Sequence, residues 1–204
     1  MNDYQKEQAE SLRIIRQYLS PSKQREKENL LTMASEYFSF RKQVDSFLVH
    51  YFGHVCQLKC YQNRLSACCG KEGIVTFFAD MVINALVSSE DDLDRIESVI
   101  SNDMDRAFKC IYLGEQGCIW KIKPIICEMF LCDTAMKEVF EKDPSAKAKW
   151  NEFKIQEKRF RWPDQPVLFD QLEEIFLDAG YCSSLMYLNN SPGLLRIKQR
   201  AGLL

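Results

Sequence analysis

Hydrophobic residues along this chain recur mainly at intervals of three and four, and strict apolar–polar alternation is weak throughout. Leu12, Ile15 and Leu19 share one helical face. Ser20-Pro21 then supplies a stop and a restart, with Ser20 as N-cap and Pro21 in the first helical position. A second helix is predicted through Leu30, Leu31, Ala34, Tyr37, Phe38, Val44, Phe47, Leu48 and Tyr51, closed by Gly53. Its apolar stripe is broader than a coiled-coil seam, so the helix packs on a core. Residues 1–52 therefore read as a helical hairpin.

The stretch HVCQLKCYQNRLSACCGKEG that follows has neither period and reads as a loop or short turns. Residues 74–87 are expected to form an apolar helix. Ser88 or Ser89 caps the next one, with Glu90, Asp91 and Asp92 in its first turn, where the positive end of the dipole favours them. Leu93, Ile96, Val99 and Ile100 line that helix toward Phe108. The segment CIYLGEQGCIWKIKPIICEMFLC begins extended or turn-like around Gly114 and Gly117 and turns helical from Pro124, which sets Cys127 and Cys132 about one turn apart on one helix. Further helices are predicted over 134–141, 146–160 and 167–179, the last ended by Gly180 at C′, and the tail turns at 190–193 before a short final helix. The pattern predicts a single all-α domain over 1–204, with helices packed around an irregular cysteine-rich metal-binding segment (53–135) and C-terminal helices and tail over 136–204.

With 204 residues, 46% of them hydrophobic and including thirteen Phe and eight Tyr, the chain can build one full core without relying wholly on metal. A net charge of −2 sets up no overall field to recruit nucleic acid or an anionic membrane. The N-terminal MNDYQKEQAESLRII lacks a basic region followed by an apolar one. The most apolar run, 74–87, is interrupted by Asp80 and Asn84 and is too short to span a bilayer. The expectation is a cytoplasmic protein without membrane or nucleic-acid partners.

Nine cysteines in a reducing compartment argue against a disulfide framework. Four fall between Cys56 and Cys69, four between Cys110 and Cys132, and Cys182 stands apart as an expected buried thiol. Thiolates are soft, charged donors suited to zinc and iron–sulfur clusters, and four of them close a tetrahedral site. The candidate ligands are Cys56, Cys60, Cys68, Cys69, Cys110, Cys118, Cys127 and Cys132. Short spacings such as Cys56–Cys60 lower the entropy of closing the binding loop. Adjacent Cys68 and Cys69 point to opposite sides of an extended stretch, which suits a polynuclear cluster or two neighbouring sites better than one zinc. The set therefore reads as two four-cysteine sites, or as one cluster with thiols to spare. An iron–sulfur cluster is favoured slightly over zinc.

The double cysteine after a cysteine-rich lead-in, followed by Cys-Ile-Tyr-Leu, Gly-Cys and Lys-Pro-Ile-Ile-Cys-Glu-Met-Phe-Leu-Cys, resembles the bacterial cysteine-cluster proteins described as a zinc- or iron-chelating domain. The resemblance covers 56–132 and is carried most specifically by Cys110, Leu113, Gly117, Cys118, Pro124, Cys127 and Cys132. Seven residues separate Cys60 from Cys68, where the family has a tighter lead-in, and Lys123-Pro124 stands where Arg-Pro is common. The resemblance implies metal chelation, with no established reaction for most members. A flagellin lysine methylase in the same broad group suggests a second reading, a methyltransferase-like enzyme acting on protein lysine. A third is an adaptor held together by structural zinc. The expected partner is an unidentified protein or redox partner.

Other candidates are weaker. His50 and His54, four residues apart and just before Cys56, are possible ligands or a surface pair at a helix end. Asp80, with Asn84 one turn on as its hydrogen-bond partner, either supports the metal site from a second layer or faces solvent. FKIQEKRFRW, with Arg196, Lys198 and Arg200 nearer the C-terminus, reads as a solvated helix face more readily than as a nucleic-acid track. A C-x3-C-x2-C radical-enzyme signature fails at Asn63, Gly114 and Gly117 form only GxxG, and two adjacent histidines assemble no nucleophile–base pair. No catalytic machinery is visible.

Overall fold

The computed structural model describes residues 1–62, 67–70, 75–102 and 109–204, and these are mostly helical. Ile74 and Phe108, which the predicted apolar helices reach, lie outside the described residues, as does Asn63. Helix α1 (Asp3–Tyr18) opens with a capping box in which the Asn2 side chain accepts from the Gln5 N–H and the Gln5 side chain accepts from the Asn2 N–H. The stop at Ser20-Pro21 is present, followed by one 3-10 turn (Pro21–Lys23) and then α2 (Gln24–Met33).

The predicted second helix is divided into α2 and α3 (Ser35–Cys56) by a kink at Ala34, whose ψ is 0°. The hydrogen-bond ladder runs through the kink, because Ala34 N–H reaches the Leu30 carbonyl and Phe38 N–H reaches that of Ala34, both at 2.9 Å. Gly53 does not end α3. Its φ is not in the left-handed region that stops helices, and the Gln57 N–H still bonds to its carbonyl. The chain instead runs on into a wider π turn, Gln57–Tyr61.

The first two long helices are not each other's partners in a hairpin. Helix α1 packs chiefly on α4 (Phe78–Val87) and α5 (Glu90–Ser101). Charge and backbone satisfaction decide this: Arg16 forks onto Glu90, Asp94 and Glu97 of α5, and the Gln5 amide donates to the Ile100 and Asn102 carbonyls, both at 3.0 Å. Helix α3 packs on α7 (Asp133–Phe140) and α8 (Pro144–Arg161).

Helix α4 is buried all round from Phe78 to Leu86, its two polar residues Asp80 and Asn84 included. It runs through the centre of one continuous apolar core, between α1 and α9 (Leu168–Asp178). Two short helices, α10 (Tyr187–Asn190) and α11 (Pro192–Arg200), close the C-terminal side. Lys198, read from sequence as surface charge, is buried and bonded to both Asp170 oxygens at 2.9 Å. In α8 the aromatic residues Phe153 and Phe160 belong to the core, while Lys154, Lys158 and Arg159 stay exposed.

Candidate metal centre

The thiol segment starts on regular structure. Cys56 is the last residue of α3 and Cys60 lies four residues on in the π turn, so both are helical where the sequence suggests a loop. Lys59 of that turn pairs with Glu138 of α7, and the Tyr61 hydroxyl donates to the Glu115 carbonyl at 2.5 Å. Cys68 and Cys69 share a single 3-10 turn (Ala67–Cys69). Gly70 then bridges antiparallel to Lys109, and Cys110 N–H donates to the Cys69 carbonyl at 2.9 Å.

A two-residue hairpin follows, β1 (Leu113–Gly114) against β2 (Gly117–Cys118), with Leu113 opposite Cys118. Gly117, at φ 109°, takes the left-handed backbone this reversal needs. Cys127 sits on α6 (Ile125–Glu128), whereas Cys132 is the N-cap residue of α7. The two do not share a helix as predicted, because Cys132 adopts extended backbone (ψ 155°) that a helix interior excludes.

Cys110 and Cys118 are built alike. The Tyr112 N–H points at the Cys110 sulfur at 3.4 Å, and the Trp120 N–H serves the Cys118 sulfur in the same two-residue relation. A donor aimed at sulfur favours the thiolate, the form that binds metal. The rings of Tyr112 and Trp120 meet edge-to-face with centroids 5.1 Å apart.

The eight predicted ligands lie in one another's fields. Burial, and then the proximity of Cys68, Cys132 and Cys60, raises the Cys56 pKa. The Cys68 thiol donates to Cys69, which raises Cys68 and lowers Cys69, and the latter also faces Cys110, Cys118 and Cys127. Burial, aided by Cys110, Asp80, Cys118 and Cys68, pushes Cys127 up to about 12. Burial also raises Cys118, which the Lys123 ammonium opposes. Of these thiols Cys110 is buried, while Cys56 and Cys68 are exposed. Cys182 is exposed rather than buried, and is not among the principal groups acting on the others. As they stand, no three His, Cys, Asp or Glu side chains among the described residues are arranged to hold a metal ion, so an ion would have to draw thiols inward.

The backbone between Cys118 and Cys127 is gripped from two helices. Asp80 of α4 is buried, which overturns its solvent-facing reading. One carboxylate oxygen accepts from Phe77 N–H at 3.1 Å and the other from Ile125 N–H at 2.9 Å. Asn84 does not bond to Asp80. Its side-chain oxygen accepts from Ile122 N–H at 3.1 Å, so residues one turn apart hold positions three apart in the thiol segment. From α3, buried Arg41 donates to the Tyr37 hydroxyl (2.7 Å) and the Lys123 carbonyl (2.9 Å), and lies 3.6 Å from buried Glu128. Lys123 also pairs with Glu128, at 3.4 Å. Burial alone pushes the Asp80 carboxyl up to about 7, against its two N–H donors and Arg41.

The histidines are not brought to this group. His50 and His54 are exposed, and His50 stands edge-on to Tyr51 with centroids 4.6 Å apart. Sequence reasoning passed over Arg41, Tyr112 and Trp120. Arg41 has one local partner, Tyr37, but its partners in the thiol segment, Lys123 and Glu128, are 82 or more positions away. The aromatic residues had one, the repeated Cys-Ile-aromatic triplet at 110–112 and 118–120.

No family model, curated protein or solved structure matches this chain. Among the described residues no helix is long and apolar enough to cross a membrane.

Proposed function

We propose that this chain binds a soft metal centre, an iron–sulfur cluster or zinc, through clustered cysteine thiolates. The observation carrying this reading is convergence. Four separated stretches of chain bring eight of the nine cysteines into one interacting group, and Cys182, set apart in the sequence, is the thiol outside it. Buried idle thiols do not account for the pattern, because only Cys110 of the group is buried.

The donor set fits such a centre. All eight candidates are sulfur, two of them already receive backbone N–H groups, and Lys123 supplies positive charge beside Cys118. When bound, zinc would staple the segments together, and an iron–sulfur cluster would add one-electron chemistry. This chain's own residues orient the ligands: Asp80 and Asn84 fix the backbone leading to Cys127, and Arg41 fixes the carbonyl of Lys123.

The test is elemental analysis with a visible spectrum on protein purified without oxygen and without a metal-binding tag. Iron with acid-labile sulfide in a brown protein identifies a cluster, and stoichiometric zinc in a colourless one identifies a structural site. Cys118→Ser and Cys127→Ser should lower metal content while Cys182→Ser leaves it unchanged. Equal metal content in all three variants refutes the ligand assignment.

A further inference from the structure

Two of the cysteines are set opposite one another by the backbone itself. Gly70 and Lys109 form an isolated antiparallel bridge, and next to it the Cys110 N–H donates to the Cys69 carbonyl at 2.9 Å. In that register Cys69 lies directly across from Cys110 as a hydrogen-bonded pair. Residues so placed present their side chains on the same face, with Cα atoms about 5.5 Å apart and Cβ atoms about 4.5–5.5 Å apart. A disulfide spans Cα separations of roughly 4.4–6.8 Å and Cβ separations of roughly 3.5–4.5 Å. The Cα spacing of such a pair is inside that window, and the Cβ spacing meets its upper edge. The pairing is an isolated bridge and not a longer ladder, so little paired backbone resists the remaining approach.

Among the described residues no other two cysteines are paired in this way. Cys118 stands opposite Leu113 in the hairpin. Cys56 and Cys60 occupy helical turns, Cys127 lies on α6 and Cys132 caps α7. Cys68 adjoins Cys69 in one 3-10 turn, but a bond between neighbours would close a small ring across a planar peptide group and strain it. Cys69 is half-buried and Cys110 is buried, so a reagent arriving from solvent meets Cys69 first.

We infer that Cys69 and Cys110 form a reversible disulfide, made by exchange with a low-molecular-weight disulfide. The Cys69 sulfur attacks one sulfur of that reagent, forming a mixed disulfide and releasing one small thiol. The Cys110 sulfur then attacks the Cys69 sulfur, and a second small thiol leaves. Two protein thiols are oxidised to one disulfide, the reagent is reduced to two thiols, and the cysteine protons pass to them. The bond ties the turn at Cys69 to the segment entering the hairpin, and the loop it closes contains α4 and α5. This inference stands on backbone pairing and not on metal binding. If the chain also binds metal through these two thiols, bond and metal exclude each other, since a disulfide sulfur is no longer a thiolate.

The test incubates the full chain, reduced and then freed of reductant, with glutathione disulfide and a chelator. Alkylation stops the exchange, and peptide mapping by mass spectrometry locates the bonds. A cross-linked Cys69–Cys110 peptide is expected, without glutathione retained on Cys69 and with both thiols restored by dithiothreitol. Cys110→Ser should instead hold the mass of one glutathionyl group on Cys69. The wild-type map requires no variant to fold. A bond mapped to Cys68 and Cys69 or to any other pair, glutathione retained on wild-type Cys69, or a chain that keeps both thiols overturns the assignment. Repeating the incubation with zinc in place of the chelator separates the two readings. Slower bond formation supports both, and unchanged formation counts against metal at these two thiols while the disulfide stands.

Discussion

Replacing Asp80 by Ala tests how the fold supports the thiol segment. The substitution leaves the Phe77 and Ile125 N–H groups buried without acceptors. Each costs about 1–3 kcal/mol, so the variant should lose about 2–6 kcal/mol of stability where the wild-type carboxyl is protonated. The loss depends on pH. Burial raises the folded carboxyl to about 7, above its ordinary value near 4 in the unfolded chain. Between those values the folded state binds the extra proton, so wild-type stability falls as pH rises through the window and levels off above it.

Alanine has no such group, and its penalty should shrink by about 2 kcal/mol between pH 5 and pH 8. Asp80→Asn keeps one carbonyl oxygen for one of the two donors, and should show roughly half the alanine penalty at low pH. Urea denaturation followed by circular dichroism, on reduced protein at several pH values, measures both variants against wild type. A thiol reagent added under native conditions should also label Cys127 faster in Asp80→Ala, since Ile125, two residues before it, loses its anchor. A penalty that stays constant or grows from pH 5 to pH 8 would show that the two N–H donors hold the carboxylate ionised, and would refute the reasoning.

Three further outcomes are expected. Glu173, fully buried and accepting from Leu188 N–H, Asn189 N–H and the Asn189 amide, is raised to about 8 by burial. Its contribution therefore falls as pH rises from the ordinary carboxyl value to about 8, and Glu173→Gln should gain in melting temperature on wild type from pH 5 to pH 8. Arg41→Met strips the Lys123 carbonyl and the Tyr37 hydroxyl of a partner and leaves buried Glu128 to Lys123 alone. Loss of one member of a buried pair costs about 3–5 kcal/mol, measurable by urea denaturation. Gly180→Ala meets no steric neighbour within 4 Å but forces φ +82° on a residue with Cβ. A cost of about 1 kcal/mol, or about 2–4 °C in melting temperature, is expected by thermal denaturation.

Helix content was legible because it depends on local patterning. The capping box at Ser89 with Asp92, the C′ glycine at 180 and the buried run into Leu86 all follow from neighbours within a few positions. Pairing was not legible. That α1 lies on α5 depends on Arg16 meeting acids more than seventy positions away, and hydrophobic spacing says nothing of such partners. The end of α3 was misplaced because Gly53, a helix terminator only when it adopts positive φ, simply continues the helix toward Cys56. Asp80 shows the limit most clearly. A carboxylate in an apolar run has either solvent or distant donors, and only the fold reveals that the donor belongs to Ile125, 45 positions on.

The way this fold treats polar groups separates backbone from sulfur. Ile122 and Ile125 N–H groups find side-chain oxygens of α4, and the Lys123 carbonyl finds Arg41, so the main chain around the thiols is held by the protein itself. Among the described residues the buried side-chain polar atoms without a hydrogen-bond partner are Tyr4 OH, Gln8 Nε2, Arg41 Nε, Thr76 Oγ1 and Trp120 Nε1. Buried donors normally find acceptors, and those that do not call for a specific explanation. Of these, Trp120 follows Cys118 by two residues, and Tyr4 lies within the electrostatic reach of Cys110 and Cys127. Under the proposed metal binding, deprotonation would convert neutral sulfur into a charged acceptor.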